Sequence, residues 1–251
     1  MNTSPKFRDH FTGVAADYAQ HRPTYPGELL EKLVELSPDT RHALDVGCGN
    51  GQLSLLLAEH FDRVIATDAS AAQIAAAMPH PRIIYRVRPA EDSGLEDGSV
   101  SLVTVAQAAH WFDLAPFYRE VRRVGAPDAL IALISYGRMR IDGPANPAVQ
   151  HFYGPELAAY WPAERAHVEN GYADLDFPFS ELRQPAFEIT REWDAGQFLA
   201  YTDTWSATTA MRTALGDAEV RRRQQPLREA WEGIHKVRWP ITLRVGKIHP
   251  G

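Results

Sequence analysis

The chain of 251 residues contains a single cysteine, Cys48. One cysteine forms no internal disulfide and no cysteine-based zinc site, and no metal centre is expected. Long apolar runs are also missing. The longest clean one is Ala129–Ile134, far below the roughly 18 residues of a membrane span. The opening stretch, Met1 to His10, has no apolar core behind its charges, so no secretory signal is expected. Together these absences predict a cytoplasmic protein with no membrane partner. Lysine is scarce as well: of 26 basic residues only Lys6, Lys32, Lys236 and Lys247 are not arginine. Acidic residues number 32, for a formal charge of −6. Such a surface does not suit a protein that gathers nucleic acid by broad attraction. The remaining composition, 45% hydrophobic and 23% charged, is that of a globular chain.

No internal repeat or low-complexity tract is present. From residue 25 to about 136, short β-rich runs alternate with helical patterns. Pro26 to Leu36 has apolar residues at helical spacing, with Pro at its start. Ala43–Val46 reads as a strand, Gln52–His60 as a helix and Arg63–Thr67 as a strand. Ser70–Met78 reads as a helix opened by a Ser70/Gln73 capping box. Arg82–Val87 and Val100–Ala106 are strands, Asp113 caps a helix to about Val124, and Ala129–Ser135 is a fifth strand. Alternation of this kind predicts a parallel, doubly wound α/β sheet with right-handed crossovers.

The rhythm breaks after Tyr136. Residues 138–185 are rich in Pro, Gly and aromatics, and read as an insertion. Phe187–Trp193 is a strand, 195–235 is helical, and Lys236–Val245 is a closing strand in which Pro240 implies an edge or a bulge. The expected whole is one domain over 1–251: a cofactor core at 25–136, a lid from 1–24 and 138–185, and closing helices and strands at 186–251.

The segment Asp45-Val46-Gly47-Cys48-Gly49-Asn50-Gly51-Gln52 sits where the first strand turns into a helix. Three alternate glycines let backbone turn tightly and approach a ligand, and the following helix start favours a carboxylate or phosphate. A dinucleotide fingerprint spaces its glycines as G-x-G-x-x-G. Here the third comes one residue early, and Asp45 would repel a diphosphate. The ammonium and sulfonium of S-adenosylmethionine (SAM) reverse that sign. Asp68-Ala69 ends the second strand, where a carboxylate can take both ribose hydroxyls, a feature shared with NAD proteins. Ala90-Glu91 follows the third strand, with an amide and a carboxylate able to read adenine.

These three elements at consecutive strand ends resemble the class I SAM-dependent methyltransferases. Such a fold has a Rossmann-like sheet of seven strands, mostly parallel with the last antiparallel, here with a helical cap insertion. Phe11, Ala16, Tyr18, Arg22, Pro23, Tyr25 and Pro26 resemble the N-terminal segment of the type 11, trans-aconitate methyltransferase-like group. So do Ala106–Phe112, Thr204-Trp205-Ser206 and Trp239-Pro240. Arg123-Val124-Gly125-Ala126-Pro127-Asp128 departs from the group's Lys-Pro-Gly-Gly-like turn, at the sheet end away from the ligand.

The resemblance implies SAM as cofactor and S-adenosylhomocysteine as product. It also implies that Tyr18 and Arg22 fold over the cofactor, with Arg22 on its carboxylate. Gln107, Ala108, His110 and Trp111 follow the fourth strand at the ligand edge of the sheet. Gln107 and Ala108 are assigned to the cofactor, Trp111 to the acceptor. His110 and Tyr136 are candidate bases, each with an ordinary structural role as the alternative. Arg138 is a candidate clamp for an acceptor carboxylate, and Trp205 a wall of the acceptor pocket. The run Arg221-Arg222-Arg223 lacks interleaved aromatics and reads as a solvated helix face. The expected activity is methyl transfer to a small molecule, with a carboxylic acid such as aconitate favoured by the resemblance. The alternatives are a non-catalytic SAM-binding module and a nucleic-acid methyltransferase, the latter without an Asn/Asp-Pro-Pro-Tyr/Phe motif here. The protein is expected to be a monomer or a homodimer.

Overall fold

The computed structural model describes residues 22–249. In chain order the elements of the first half are α1 (Gly27–Leu36), β1 (His42–Val46), α2 (Gln52–Leu57), β2 (Arg63–Asp68), α3 (Ala71–Ala75), β3 (Ile83–Val87), β4 (Val100–Ala106), α4 (Leu114–Val124) and β5 (Gly125–Tyr136). The second half adds β6 (Arg140–Ile141), α5 (Asn146–His151), α6 (Arg165–Glu169), β7 (Ser180–Leu182), β8 (Phe187–Trp193), α7 (Ala195–Asp203), α8 (Ser206–Leu215), α9 (Asp217–Ala230) and β9 (His235–Lys247).

The sheet runs β3-β2-β1-β4-β5-β9, with the first five strands parallel and β9 antiparallel to β5. The order reverses between β1 and β4, which opens a crevice at their carboxyl ends. Leu29, Leu30 and Leu33 of α1 form the buried stripe that its spacing predicts. They join Leu53 and Leu57 of α2 in a core against one face of the sheet. Phe117, Val121 and Val124 of α4 bury against the other face. The expected doubly wound α/β architecture is therefore present.

Several details differ from the expectations. The sheet has nine strands among the described residues, because the two short strands β6 and β7 also pair with β9. The second helix stops at Leu57, since Glu59 and His60 turn back to Leu56 and Leu57 carbonyls. Ser70 caps α3 through the Gln73 amide, but α3 ends at Ala75, short of Met78. Strand β5 begins four residues early, at Gly125, and its register on β4 shifts between Val100 and Leu102. That irregularity absorbs the unusual 123–128 turn, with Asp128 at φ 61°.

Pro240 does not mark a sheet edge. Strand β9 pairs with β5 at Ile241–Lys247 and with β6 at Val237–Arg238, while β8 lines its opposite side. Pro240 lies in the gap between the β5 and β6 ladders, so its missing N–H costs no bond on that side.

Residues of the 138–185 insertion pack with the closing helices. Phe152 and Tyr153, in a wide helical turn after α5, share one aromatic core with Phe198, Tyr201 and Trp205 of the late helices. Trp239 of β9 is fully buried in the same core, where its Nε1 donates to Tyr201 Oη at 3.1 Å. Burying each such side chain is worth about 1.5–3 kcal/mol, which makes the cap and the closing helices one body. Arg223 ties α9 to this turn through Glu156 at 2.8 Å, and Arg222 pairs with Glu219 at 2.6 Å. The arginine run is thus an ion-paired helix face. Among the described residues no helix is long and apolar enough to cross a membrane.

Candidate active site

Strand β1 delivers the chain into the glycine loop, where Gly47, Gly49 and Gly51 all have positive φ. Close packing makes glycine necessary at two of these positions. A Cβ on Gly47 would lie 2.6 Å from the Ala108 methyl, and one on Gly51 would run into the Tyr85 phenol. The loop is pinned from β2. The Cys48 amide donates to Thr67 O at 3.0 Å, and the Gly49 amide to Asp68 Oδ2 at 2.9 Å. Asp68 Oδ1 accepts from the Ser70 amide at 2.8 Å. Asp68 is thus oriented by two backbone donors at the strand's carboxyl end. Gln52 opens α2, half-buried.

Asp45 is placed differently from the expectation of an open carboxylate facing the ligand. It is fully buried, and accepts from Ser54 Oγ at 2.6 Å and Thr104 Oγ1 at 2.9 Å. Burial pushes its carboxyl up to about 6, the two hydroxyls pull it down, and the Asp68 charge adds to the rise. Burial and the same two carboxylates hold the Cys48 thiol well above its ordinary range. The ground beneath the loop is therefore anionic, and Asp45–Gln52 contains no Lys or Arg. A diphosphate would add like charge there, whereas a cationic amino-acid cofactor meets charge of opposite sign. This donor set fits SAM.

Neighbouring strand ends complete that side. The Arg88 amide donates to Asp68 O at 3.0 Å, which draws the β3 end towards β2. Ala90 and Glu91 follow, half-buried, and Ala69 is exposed beside them. The segment is fixed to α4 because Glu120 accepts from the Ser93 amide at 2.9 Å and its hydroxyl at 2.6 Å.

The other side is a narrow cleft that opens to solvent. It brings together six predicted residues: Arg22, Gln107, His110, Trp111, Tyr136 and Trp205. Gln107 sits at φ 57°, and its Nε2 donates to Tyr136 O at 2.8 Å, so the ends of β4 and β5 are tied. Ala108 packs beneath Gly47 while His110 and Trp111, two and three residues on, line the cleft. Cofactor loop and cleft thereby share one wall.

His110 Nδ1 lies 2.9 Å from Tyr172 Oη. Burial, then the charges of Arg165 and His167, hold its imidazole down to about 3. It is neutral at physiological pH and too weakly basic to favour proton abstraction. Tyr136 is 5% exposed and stands edge-on to Tyr25. Trp205 is 3% exposed, so most of the indole is core, in contact with Tyr153, Trp161 and Tyr201. Arg22 donates to Thr204 O at 3.1 Å and lies over the Tyr201 ring. Arg138 is not in the cleft. It lines an outer hollow with Glu169, stacked on the Tyr153 ring and half exposed, because β5 ends at Tyr136 and the chain turns away at Gly137. Tyr18 lies outside the described residues.

Sequence reasoning missed Tyr153, Trp161, Arg165 and Tyr201 in the cleft, and Tyr172 behind His110. For Tyr153, Trp161 and Tyr172 the only signal was the aromatic richness of 138–185, and Arg165 and Tyr201 had none; no spacing rule links them to β4.

The family profile described as "Methyltransferase domain" matches residues 44–133, the span from β1 to within β5. A protein of Dictyostelium discoideum named "Putative methyltransferase" is 33% identical over 222 residues, covering 87% of this chain and 84% of that one. "Probable S-adenosylmethionine-dependent methyltransferase CRG1" of Saccharomyces cerevisiae is 30% identical over 150 residues, 56% of this chain and 52% of its own. A solved structure titled as a "Putative Type II Methyltransferase" from Anaeromyxobacter dehalogenans superposes with a TM-score of 0.85 at 47% identity, covering 92% of this chain and 99% of that one. Likeness over nearly the full length and an anionic glycine loop lead to one assignment: the chain belongs to the SAM-dependent methyltransferase family.

Proposed function

We propose that the methyl acceptor is a small carboxylic acid and the product its methyl ester. The observation that carries this reading is the charge of the cleft. Arg22 and Arg165 line it, and among the described residues no Asp or Glu does. With Arg22 taken by the cofactor's own carboxylate, Arg165 still leaves the cleft of a chain of formal charge −6 locally cationic, which selects an anion. Resemblance to the trans-aconitate methyltransferase-like group favours the same acceptor class.

The cofactor supplies an electrophilic methyl on a sulfonium. On this reading Asp68 takes the ribose hydroxyls, and Ala69, Ala90 and Glu91 border the adenine. Gly47, Gly49, Gly51 and Gln52 form the loop around the amino-acid part. Tyr18 and Arg22 cover it, with Arg22 on the carboxylate. Asp45 contributes negative charge from below. Gln107 and Ala108 form the partition to the cleft, and Trp111 and Trp205 its walls. A carboxylate is ionised at neutral pH and needs no base, which suits a neutral, weakly basic His110. Catalysis then rests on alignment of an acceptor oxygen behind the methyl at about 3 Å and on exclusion of water. A phenol or amine would need a base with a higher pKa.

Incubation with labelled SAM and a metabolite extract, followed by mass spectrometry, tests this. The expected product is labelled and is cleaved by mild alkali, as an ester is. A labelled product that survives alkali overturns the reading.

A further inference from the structure

We propose that Arg165 is the anchor for the acceptor's carboxylate, and that the acceptor is a monocarboxylate on a flat aromatic body. This rests on the carboxylic-acid reading above and narrows it.

Arg165 opens α6 in the insertion and reaches the cleft from the cap side. Its guanidinium is held on one flank only. The Trp161 ring lies beneath it at 5.0 Å and the Tyr153 ring at 5.8 Å. Nε and Nη2 share a single acceptor, Tyr153 Oη, at 3.2 and 2.8 Å. The nearest carboxylate, Glu169, stands 3.9 Å from Nε. It already accepts the Tyr153 phenol at 2.6 Å and faces Arg138 at 3.8 Å. One carboxylate therefore serves two guanidinium groups. Nη1 has no hydrogen-bond partner among the described residues. Its charge reaches into the cleft, where it helps keep the His110 imidazole neutral.

The other arginines are placed for other work. Arg22 is tied to Thr204 O and the Tyr201 ring, and Arg138 is in the outer hollow. Among the described residues one cation of the cleft remains for the acceptor, so one carboxylate is matched and a polycarboxylate leaves charges unpaired. Among the described residues the rest of the lining is mostly indole and phenol, from Trp111, Tyr136, Tyr153, Trp161, Tyr201 and Trp205, with Pro162 and the neutral polar groups Gln107, His110 and Ser206. Such walls favour a flat aromatic body over a flexible chain.

The step balances without a proton. A carboxylate oxygen lone pair forms the new O–CH3 bond while the carbon–sulfur bond breaks and leaves its electron pair on sulfur. Anion and sulfonium cancel to a neutral ester and a neutral thioether. The ester no longer pairs with Arg165, so the anchor that holds substrate releases product.

Steady-state kinetics on benzoate, cinnamate, aconitate and octanoate, with calorimetry for SAM, provide the test. Wild type should use the two aryl acids with KM at least tenfold below aconitate and octanoate. Arg165→Gln should raise KM for the aryl acids at least tenfold and leave the SAM Kd within twofold, and Arg165→Lys should recover part of the loss. Benzamide and cinnamamide delete the charge from the ligand side, and should inhibit wild type at least tenfold more weakly than the acids bind. That arm stands even if Arg165→Gln does not fold. Unchanged KM in folded Arg165→Gln, equal binding of amides and acids, or preference for aconitate overturns the anchor proposal while acid methylation stands. Methylation of no acid at all overturns the carboxylic-acid reading itself.

Discussion

Asp45→Asn is expected to stabilise the protein while it impairs the site. Asp45 is fully buried, and its carboxyl is held at about 6 against an ordinary value of 3.8, chiefly by burial. A folded-state pKa above the unfolded value means that the folded chain binds the proton more tightly between the two. The contribution of Asp45 to stability is therefore most favourable below 3.8 and falls as pH rises to about 6. At about 1.4 kcal/mol per pH unit, the gap corresponds to about 3 kcal/mol of destabilisation at pH 7. Asparagine removes that charge. Its amide oxygen still accepts from one hydroxyl, and the other hydroxyl can rotate to accept from the amide nitrogen. Urea unfolding of both proteins from pH 4 to 7.5 isolates the effect, since every other titrating group is common to the pair. The variant should gain on wild type across the window, levelling off near 3 kcal/mol above pH 6. A difference that stays constant with pH refutes the assignment of the charge to Asp45. A variant that makes the same gain across the window but starts and stays below wild type shows that the lost Ser54 and Thr104 bonds outweigh the desolvation.

Further outcomes follow from neighbouring geometry. Gly51 is left-handed, at φ 85° and ψ 22°, and crowded by Tyr85. Gly51→Ala should cost about 1–2 kcal/mol for the backbone and a further 1–3 kcal/mol for overpacking; a melting temperature equal to that of wild type would show that the loop yields. Asp68→Ala removes the acceptor for the Gly49 and Ser70 amides and should weaken SAM at least tenfold by calorimetry; unchanged affinity removes Asp68 from the cofactor site. Because His110 is held near 3, it should add no inflection to kcat/KM for an acid acceptor, and wild type and His110→Gln should have pH profiles of the same shape from pH 5 to 8. An inflection near 6.5 that disappears in His110→Gln would assign it a proton-transfer role.

Local pattern made the core legible. Val100–Ala106 and Phe187–Trp193 were bounded to the residue, because apolar runs and alternation are written in consecutive positions. The loop and Asp68 were legible for the same reason: their partners are next to them in sequence or at the next strand end. Asp45 shows the limit. Its place in the motif suggested an open carboxylate, but Thr104, 59 residues away, and Ser54 take its oxygens. Arg138 follows the fifth strand closely enough in sequence to suggest a clamp, yet β5 stops at Tyr136 and the turn at Gly137 carries Arg138 out of the cleft. Arg165 and Trp161 were illegible for a different reason. The cap has no period, and its residues meet the β4 end only because an aromatic core spread over 100 residues holds them there.

Strand β9 has a consequence for the order of assembly. It lies between β5 on one side and β8 on the other, and it carries the pairing of β6 and β7. A chain emerging from the ribosome can build β1 to β5 early, since those contacts are complete by Tyr136. Strands β6, β7 and β8, in contrast, have no sheet partner until His235–Lys247 appears. Trp239, which seats Tyr201 and through it the cleft wall, arrives in the same segment. The nascent protein should therefore acquire a cofactor half well before it has anywhere to put a substrate. Transferase activity should switch on as a single late event.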